Sequence, residues 1–398
     1  MRFGKLSRCG HVLLHTCILA LALGCATQPP ATAQRCTPNF PYTEGWLGAD
    51  AAYSLPLDRG RTLWLFGDTF VGAPGQTSRA GATFIHNSVA VSRCTEAGVF
   101  EVDYAWRPSA AGPPRAFFDT GEEGRYWWLF DGFTYAGNLY VGLLGVRKSA
   151  PQGDLNLPFE LTGMKLARVP NALDPPAAWS YDVLPLSEDE NAFPGSAMVV
   201  HGEYVYFFTF LEEALGARPR TLTRLPLIAL AQPTPSEAFE TLGQAGHWQP
   251  GFAPASALIV MDDSATEMSV NYDVASKQWV AVYSPLDAPA GSSAAAQTGE
   301  VLLRTAPKLE GPWSRPERIF RIPELQKTSP GYVENTFCYA AKEHPEFASN
   351  ESILLSYVCN LYTPTGGDGT ATLKRLVREM QLYRPQVVEV PNSLGTDN

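Results

Sequence analysis

The sequence predicts an all-β protein, a five-bladed β-propeller with four-stranded antiparallel blades. Three observations predict this fold: a composition suited to short strands and turns, a four-strand meander near the start, and a strand, turn, strand layout that recurs along the chain. Among 398 residues there are 34 Gly, 33 Pro, 20 Phe, 16 Tyr and 9 Trp, and only 18% are charged. Such a mixture is typical of many short strands separated by turns.

The first meander begins with a hairpin at 48–70, GADAAYSLPLDRGRTLWLFGDTF. Two runs rich in β-forming residues flank a Gly-containing turn, and Asp50 and Asp68 stand at the open end of the pair. Because the start of one strand and the end of the next lie together in an antiparallel hairpin, we expect both carboxylates at one rim of a sheet. A third strand at 84–94 and a fourth that ends near Trp106 complete the meander.

The same layout recurs along the chain and defines five units. Their heads are Asp50, Asp131, Gly195, Glu267 and His344. Equivalent inner strands of a propeller begin at one face of a central channel, so we expect these heads to converge on one cavity. Residues 376–390 are left over as a closing outer strand or blade edge. A two-sheet sandwich is the alternative architecture.

The first 25 residues resemble a bacterial lipoprotein signal peptide. A basic start precedes the apolar stretch from Val12 to Leu23, which is too short to span a bilayer comfortably, and Cys25 follows. Cys25 is the predicted lipidation site, and Ala26 after it favours the outer membrane; a secretory leader cut elsewhere is the alternative. The predicted segments are a signal peptide at 1–25, a tether at 26–35, one propeller domain at 36–390 and a tail at 391–398.

Four cysteines remain after the leader and the lipidated residue are set aside. In an oxidising compartment they are expected to form disulfides. Of the three pairings, we favour Cys36 with Cys94 and Cys338 with Cys359, because each pair lies within one end of the chain. The spacings do not match a zinc site, so no metal ligands are predicted.

Three of the five heads are carboxylic acids, and these are the predicted catalytic residues: Asp50, Asp131 and Glu267. Glycoside hydrolysis needs one acid to protonate the departing oxygen and one carboxylate to activate water or attack the sugar. A third carboxylate close by keeps one of them protonated near neutral pH. A turn or strand-edge role is the alternative for each acid alone, but equivalent positions in three repeats favour a shared site.

Further polar and aromatic residues could bind substrate near these acids. The predicted substrate-binding residues are Asp68, His86, Asn335, His344, Trp46 and Trp127. His86 could contact a sugar hydroxyl or support Asp68, and Trp46, Trp127 and Trp128 could stack on sugar rings; structural roles are the alternatives. No cofactor is required, although a channel-bound ion such as calcium is compatible with the site.

The charge and the leader restrict the partners. The formal net charge of -10 argues against nucleic acid. The sequence also lacks a nucleotide fingerprint and a Ser-His-Asp arrangement. We therefore expect a monomer that binds a polysaccharide or oligosaccharide and contacts the membrane through its lipid only.

Several motifs together resemble the bacterial DUF4185-type proteins: ADAAYSLPL, LWLFGDTF, WLFDGF, GSAMVV, TEMSVNYD, and HPEF with ILLSYVCN. Proteins of this group are five-bladed propellers related in shape to the family-43 arabinanases and xylosidases, and some cut D-arabinan. The resemblance implies Asp50 as general base, Asp131 as the residue that adjusts the acid's pKa, and Glu267 as general acid. In family 43 the acid usually comes from the third blade, where this chain has Gly195-Ser196.

The predicted function is therefore a cell-envelope glycoside hydrolase that cleaves a polysaccharide such as arabinan or another furanoside. The alternatives are a carbohydrate-binding propeller without catalysis and an envelope scaffold that binds protein.

Overall fold

The computed structural model describes residues 36–58, 60–109, 112–152, 157–212, 218–263, 265–285, 299–349, 351–364 and 366–392. The predicted signal peptide, Cys25 and the tether lie outside these residues. No helix among the described residues is long and apolar enough to cross a membrane.

Five antiparallel sheets follow one another along the chain, and each sheet is one blade. Blade 1 contains β1 (Trp46–Asp58), β2 (Arg61–Val71), β3 (Thr83–Ile85), β4 (Ser88–Cys94) and β5 (Phe100–Ala105). Blade 2 contains β6 (Arg125–Tyr135), β7 (Asn138–Gln152), β8 (Leu157–Val169) and β9 (Asp182–Ser187). Blade 3 contains β10 (Ala192–His201), β11 (Tyr204–Leu211), β12 (Arg220–Pro226), β13 (Glu240–Leu242), β14 (Trp248–Pro250) and β15 (Ile259–Met261).

The last two blades are smaller. Blade 4 contains β16 (Ser269–Asp273), β17 (Gln278–Tyr283), β18 (Glu300–Ala306) and β19 (Glu317–Arg321). Blade 5 contains β20 (Thr336–Glu343), β21 (Ser352–Leu361) and β22 (Gln386–Pro391), with the helix α1 (Gly369–Arg378) between β21 and β22. Blades 2 and 4 have four strands each. Blades 1 and 3 have additional short strands, and blade 5 has three described strands.

The first strand of each blade is the innermost. Contacts join β1 to β6, β6 to β10, β10 to β16, β16 to β20, and β20 back to β1, so the inner strands close a ring. This closure confirms the predicted five-bladed propeller and excludes the two-sheet sandwich.

Strand position in a blade explains the sequence pattern of each strand. The second strand of blade 1, β2, reads as one apolar run because nearly all of its residues are buried between neighbouring blades. The outer strand β5 instead alternates exposed and half-buried residues, because one of its faces meets solvent. Large buried clusters between adjacent sheets form the core.

The fifth unit differs from the prediction. Its inner strand is β20, which ends before His344, so His344 does not head this blade. The sequence prediction took the turn that follows the inner strand, where His344 lies, for the beginning of that strand. Residues 376–390 are not one outer strand: they cover the end of α1, a connection and most of β22.

Both favoured disulfides are present. Cys36 bonds Cys94 at the end of β4, and this bond fixes the start of the described chain to blade 1. Cys338 bonds Cys359, and the two cysteines face each other across the β20–β21 pair. The second bond therefore lies directly beside the inner strand of blade 5.

Candidate active site

Irregular pairing occurs inside four inner strands, so the predicted heads Asp50, Asp131 and Gly195 lie within strands and not at their starts. Register shifts occur around Ala51 in β1, Asp131 in β6, Ser196 in β10 and Ala340 in β20. A bulge redirects side chains from the strand, and blades 1, 2, 3 and 5 share this feature. In blade 4 the corresponding residue, Glu267, lies just before β16.

A lysine that the sequence reasoning missed lies at the centre of this region. The Nζ atom of Lys342, on β20, donates to Glu267 Oε1 at 3.0 Å, to the Ala51 carbonyl at 2.9 Å and to the Ala340 carbonyl at 2.8 Å. Its side chain is 1% exposed. A buried ammonium is stable only with such partners, so Lys342 joins blades 1, 4 and 5.

The charge of Lys342 also acts on the three predicted catalytic acids. Burial lowers the pKa of Lys342, while the nearby carboxylates Glu267, Asp50 and Asp131 oppose that shift. The structure therefore brings these acids, from blades 1, 2 and 4, around one cation. A lysine inside the apolar run FCYAAKE was the sequence signal that could have identified it.

Asp50 is bound through one oxygen to two phenols. Its Oδ2 accepts hydrogen bonds from Tyr339 OH at 2.7 Å and Tyr383 OH at 3.1 Å. Burial raises the pKa of Asp50 well above its usual range, the negative charges of Asp68 and Glu267 raise it further, and the two phenols oppose the shift. Asp50 therefore holds a proton under conditions in which an exposed aspartate is ionised.

Asp131 uses both oxygens to bind backbone amides. Gly132 N donates to Oδ1 at 2.8 Å, and Met198 N from blade 3 donates to Oδ2 at 2.7 Å. Burial raises the pKa of Asp131 to about 7, although the two amides lower it. Asp131 thus ties blade 2 to blade 3 as well as lying beside the cluster.

A second polar group lies at the rim of blades 1 and 2. Asp68 Oδ1 accepts from Trp128 Nε1 and lies 2.9 Å from His86 Nδ1. The His86 ring stacks on Tyr126 with 3.5 Å between ring centres and 12° between planes. The prediction that His86 supports Asp68 therefore matches the geometry, and Trp128 is the tryptophan that reaches this group.

Other predicted binding residues lie elsewhere. Trp46 is fully buried and stacks on Tyr104, so it cannot stack on a sugar in this structure. Trp127 packs against the core between blades. Asn335 has a φ of 67° in the turn before β20, and its carbonyl accepts from Tyr362 N.

His344 lies deeper, at the far end of β20. Its two ring nitrogens bond Ser54 Oγ at 2.6 Å and Ser356 Oγ at 2.7 Å. Burial, together with the charge of Lys342, lowers the pKa of His344 to about 3. A neutral, fully bonded histidine of this kind supports the channel wall rather than a ligand.

The described residues offer no preformed metal site. No group of three or more His, Cys, Asp or Glu side chains among them is arranged to hold a metal ion. A surface cleft of about 640 Å³, lined by Cys36, Phe347, Ser352 and Pro391 among others, includes none of the predicted catalytic acids.

Comparison with known proteins places the chain in a family. The model of DUF5005, described as a domain of unknown function, matches residues 36–393. The chain belongs to the DUF5005 family. The match is to this family and not to the DUF4185 group that the motifs resemble. Among curated proteins, none matches the chain.

Solved structures show a similar fold. A "putative hydrolase" from Bacteroides ovatus ATCC 8483 has a TM-score of 0.64 and 15% identity, over 88% of this chain and 87% of that chain. A GH43_1 enzyme from Xanthomonas citri has a TM-score of 0.45 and 12% identity, over 90% and 92% of the two chains. The first similarity supports the propeller fold alone, and the second is too low to support an argument.

Proposed function

We propose that this DUF5005 protein is a glycoside hydrolase that cleaves a polysaccharide at the channel end of its inner strands. The observation that carries the proposal is the buried carboxyl of Asp50, which two phenols hold through one oxygen, beside further carboxylates whose charges raise its pKa. Paired carboxyl groups in opposite protonation states are what hydrolysis of a glycosidic bond requires.

The environment of each acid favours roles that differ from those implied by family 43. Asp50, whose pKa burial raises, suits the general acid that protonates the departing oxygen. Glu267 Oε1 is instead engaged by the buried ammonium of Lys342 at 3.0 Å. We therefore assign proton donation to Asp50 rather than to Glu267, and a furanoside such as arabinan is the proposed substrate class.

We also propose that the protein is a monomeric lipoprotein of the cell envelope, attached through Cys25. Two disulfides agree with an oxidising compartment. A relation to the DUF4185 group is part of the same proposal.

The test of location uses the full chain in a bacterial host. Wild type should fractionate with membranes and Cys25→Ser should become soluble in the envelope. Membrane retention of Cys25→Ser would contradict the lipid anchor and leave the enzymatic proposal intact.

A carbohydrate-binding propeller without catalysis is the second candidate. The contacts of two acids favour it. Both oxygens of Asp131 accept hydrogen bonds from backbone amides, and Glu267 forms an ion pair with Lys342. Under this alternative the acids hold blades together and only the rim contacts a glycan.

The deciding experiment measures reducing sugar released from arabinans, xylans and galactans by wild type and by Asp50→Asn, with glycan binding measured in parallel. The hydrolase proposal expects release by wild type and loss of release in the variant. Binding without release by wild type supports the second candidate, and equal release by both proteins contradicts the role of Asp50.

A further inference from the structure

We propose that Asp68 is the second catalytic carboxylate and activates the water that attacks the sugar while Asp50 protonates the departing oxygen. This inference rests on the proposed function and changes the assignment of Asp68 from substrate binding to catalysis. Three sets of contacts support it: the engagement of the other acids, the packing of Asp50 against β2, and the way in which Asp68 is held.

The other two acids are held by different partners, backbone amides for Asp131 and a buried ammonium for Glu267. Asp131 accepts a backbone hydrogen bond on each oxygen, at 2.8 and 2.7 Å. Glu267 is held by the ammonium of Lys342, which is itself 1% exposed and bound to two carbonyls. Asp131 therefore cannot take up a proton from water without giving up a bond to a backbone amide, and Glu267 already has a buried cation as its partner.

Asp68 is arranged differently. Both of its donors, the rings of His86 and Trp128, contact Oδ1, and no described residue donates to Oδ2. The side chain is 15% exposed, so it is reachable from solvent. An oriented carboxylate with one available oxygen is the geometry that a general base needs.

The two proposed catalytic acids lie on one hairpin. A Cβ atom at Gly67, next to Asp68, would collide with Asp50 Oδ1, so the Asp50 carboxyl packs directly against the backbone of β2. The charge of Asp68 is also felt at Asp50. Asp50 on β1 lies opposite Gly67 and Asp68 on β2, at a shift in the strand register, and glycine at 67 leaves room for the Asp50 carboxyl beside Asp68.

The rings around Asp68 fix its orientation. His86 donates through Nδ1 while stacked on Tyr126, and Trp128 donates from blade 2. Two donors on one oxygen prevent the carboxylate from rotating. The direction of Oδ2 is therefore fixed by the two rings that hold Oδ1.

The reaction balances with these two groups and water. The bond between the anomeric carbon and the departing oxygen breaks, and that oxygen takes the proton of Asp50. The oxygen of water bonds to the anomeric carbon and passes one proton to Asp68 Oδ2. The products are a hemiacetal and an alcohol, and solvent returns the proton from Asp68 to Asp50.

The test compares Asp68→Ala with the matched control Asp58→Ala, on the glycan that wild type cleaves best. Asp58 lies at the opposite end of the same hairpin and pairs with Arg61. We expect kcat of Asp68→Ala to fall about 10²–10⁴-fold with little change in KM. Added formate or azide should restore part of kcat, because a small anion can replace the missing carboxylate. Asp58→Ala should keep the wild-type kcat, and added formate or azide should not change it.

Each other outcome has a definite meaning. If Asp68→Ala keeps kcat within a few-fold of wild type, or loses activity mainly through KM with no rescue, the inference is wrong and Asp68 binds substrate. Circular dichroism and Asp68→Asn separate a folding defect from a catalytic one, since Asn keeps the hydrogen bonds to Oδ1. If wild type cleaves no glycan, the proposed function fails and this inference fails with it.

Discussion

Blades 1 and 2 place an aspartate at the same bulge of the inner strand, yet the two acids have different partners. Asp50 offers one oxygen to two phenols from blade 5 and its C-terminal connection. Asp131 offers both oxygens to backbone amides of blades 2 and 3. Equivalent positions in a repeat thus produce one acid held through a single oxygen by side chains and one acid held through both oxygens by backbone amides.

The largest expected effect on stability comes from replacing Lys342, whose charge interacts with both Asp50 and Asp131. Lys342→Met should lower the free energy of unfolding by about 3–5 kcal/mol, because it leaves Glu267 buried without its cation. Urea denaturation at neutral pH measures the change. Lys165→Met, which removes an exposed pair with Glu188, is the control and should change it by less than about 1 kcal/mol. Similar values for the two variants would contradict a central role for Lys342.

Glu343, at the end of β20, is another buried acid, and one of its carboxylate oxygens lacks a hydrogen-bond donor among the described residues. Its Oε2 has no hydrogen-bond partner among the described residues. Burial raises the pKa of Glu343 to about 7 from the ordinary value of 4.5, and Asp273 contributes to the shift. The folded state thus binds the proton more tightly, so stability is highest below 4.5 and falls as pH rises toward 7.

Glu343→Gln should remove this pH dependence. Relative to wild type, the variant should gain about 3 kcal/mol of unfolding free energy between about pH 4 and about pH 8. Denaturation curves at both pH values measure the gain, with the exposed Glu351→Gln as control. Parallel pH profiles for wild type and Glu343→Gln would show that the carboxyl is solvated in the folded protein.

Removing Asp131 tests the structural half of the comparison. Asp131→Ala should lower the free energy of unfolding by about 2 kcal/mol at mildly acidic pH, because two backbone amides lose their acceptor. Asp50→Asn should keep its stability, since an amide oxygen still accepts from both phenols. Thermal unfolding of the two variants side by side measures the difference, and an equal loss in both would remove the distinction between the heads.

The smallest expected effect concerns the phenols of Asp50. Tyr383→Phe removes a hydrogen bond that lowers the pKa of Asp50, so that pKa should rise further. A general acid must be protonated, so the loss of activity at alkaline pH should move to higher pH. A pH profile of kcat/KM measures the movement, with the exposed Tyr272→Phe as control. A movement to lower pH would argue against Asp50 as the acid.

The sequence located three of the acids in this cluster for a physical reason. Strand, turn, strand repeats are local patterns, and they located the heads at Asp50, Asp131 and Glu267, which the fold brings around Lys342. The fifth head was wrong because the acidic turn after β20 resembles the acidic start of other units. Only the pairing of β20 with β21 shows which of the two segments is the inner strand.

Tyr383 illustrates what no local pattern contains. It follows α1 in a left-handed conformation, with a φ of 54°, and its position depends on Arg79, a fully buried residue of blade 1. The Arg79 guanidinium donates to the carbonyls of Leu382 and Tyr383 and so fixes this connection against blade 1. Residues far apart in the sequence therefore decide which phenol reaches Asp50.

The sequence by itself determined the all-β class, the five repeats and which blades carry acids, because strand periodicity and turn residues are encoded locally. It allowed three disulfide pairings, and the favoured one is present. The tertiary structure alone decided how the acids differ. Burial and the partners of each carboxyl set its protonation, and those partners come from other blades: Tyr339 and Tyr383 for Asp50, Met198 for Asp131 and Lys342 for Glu267.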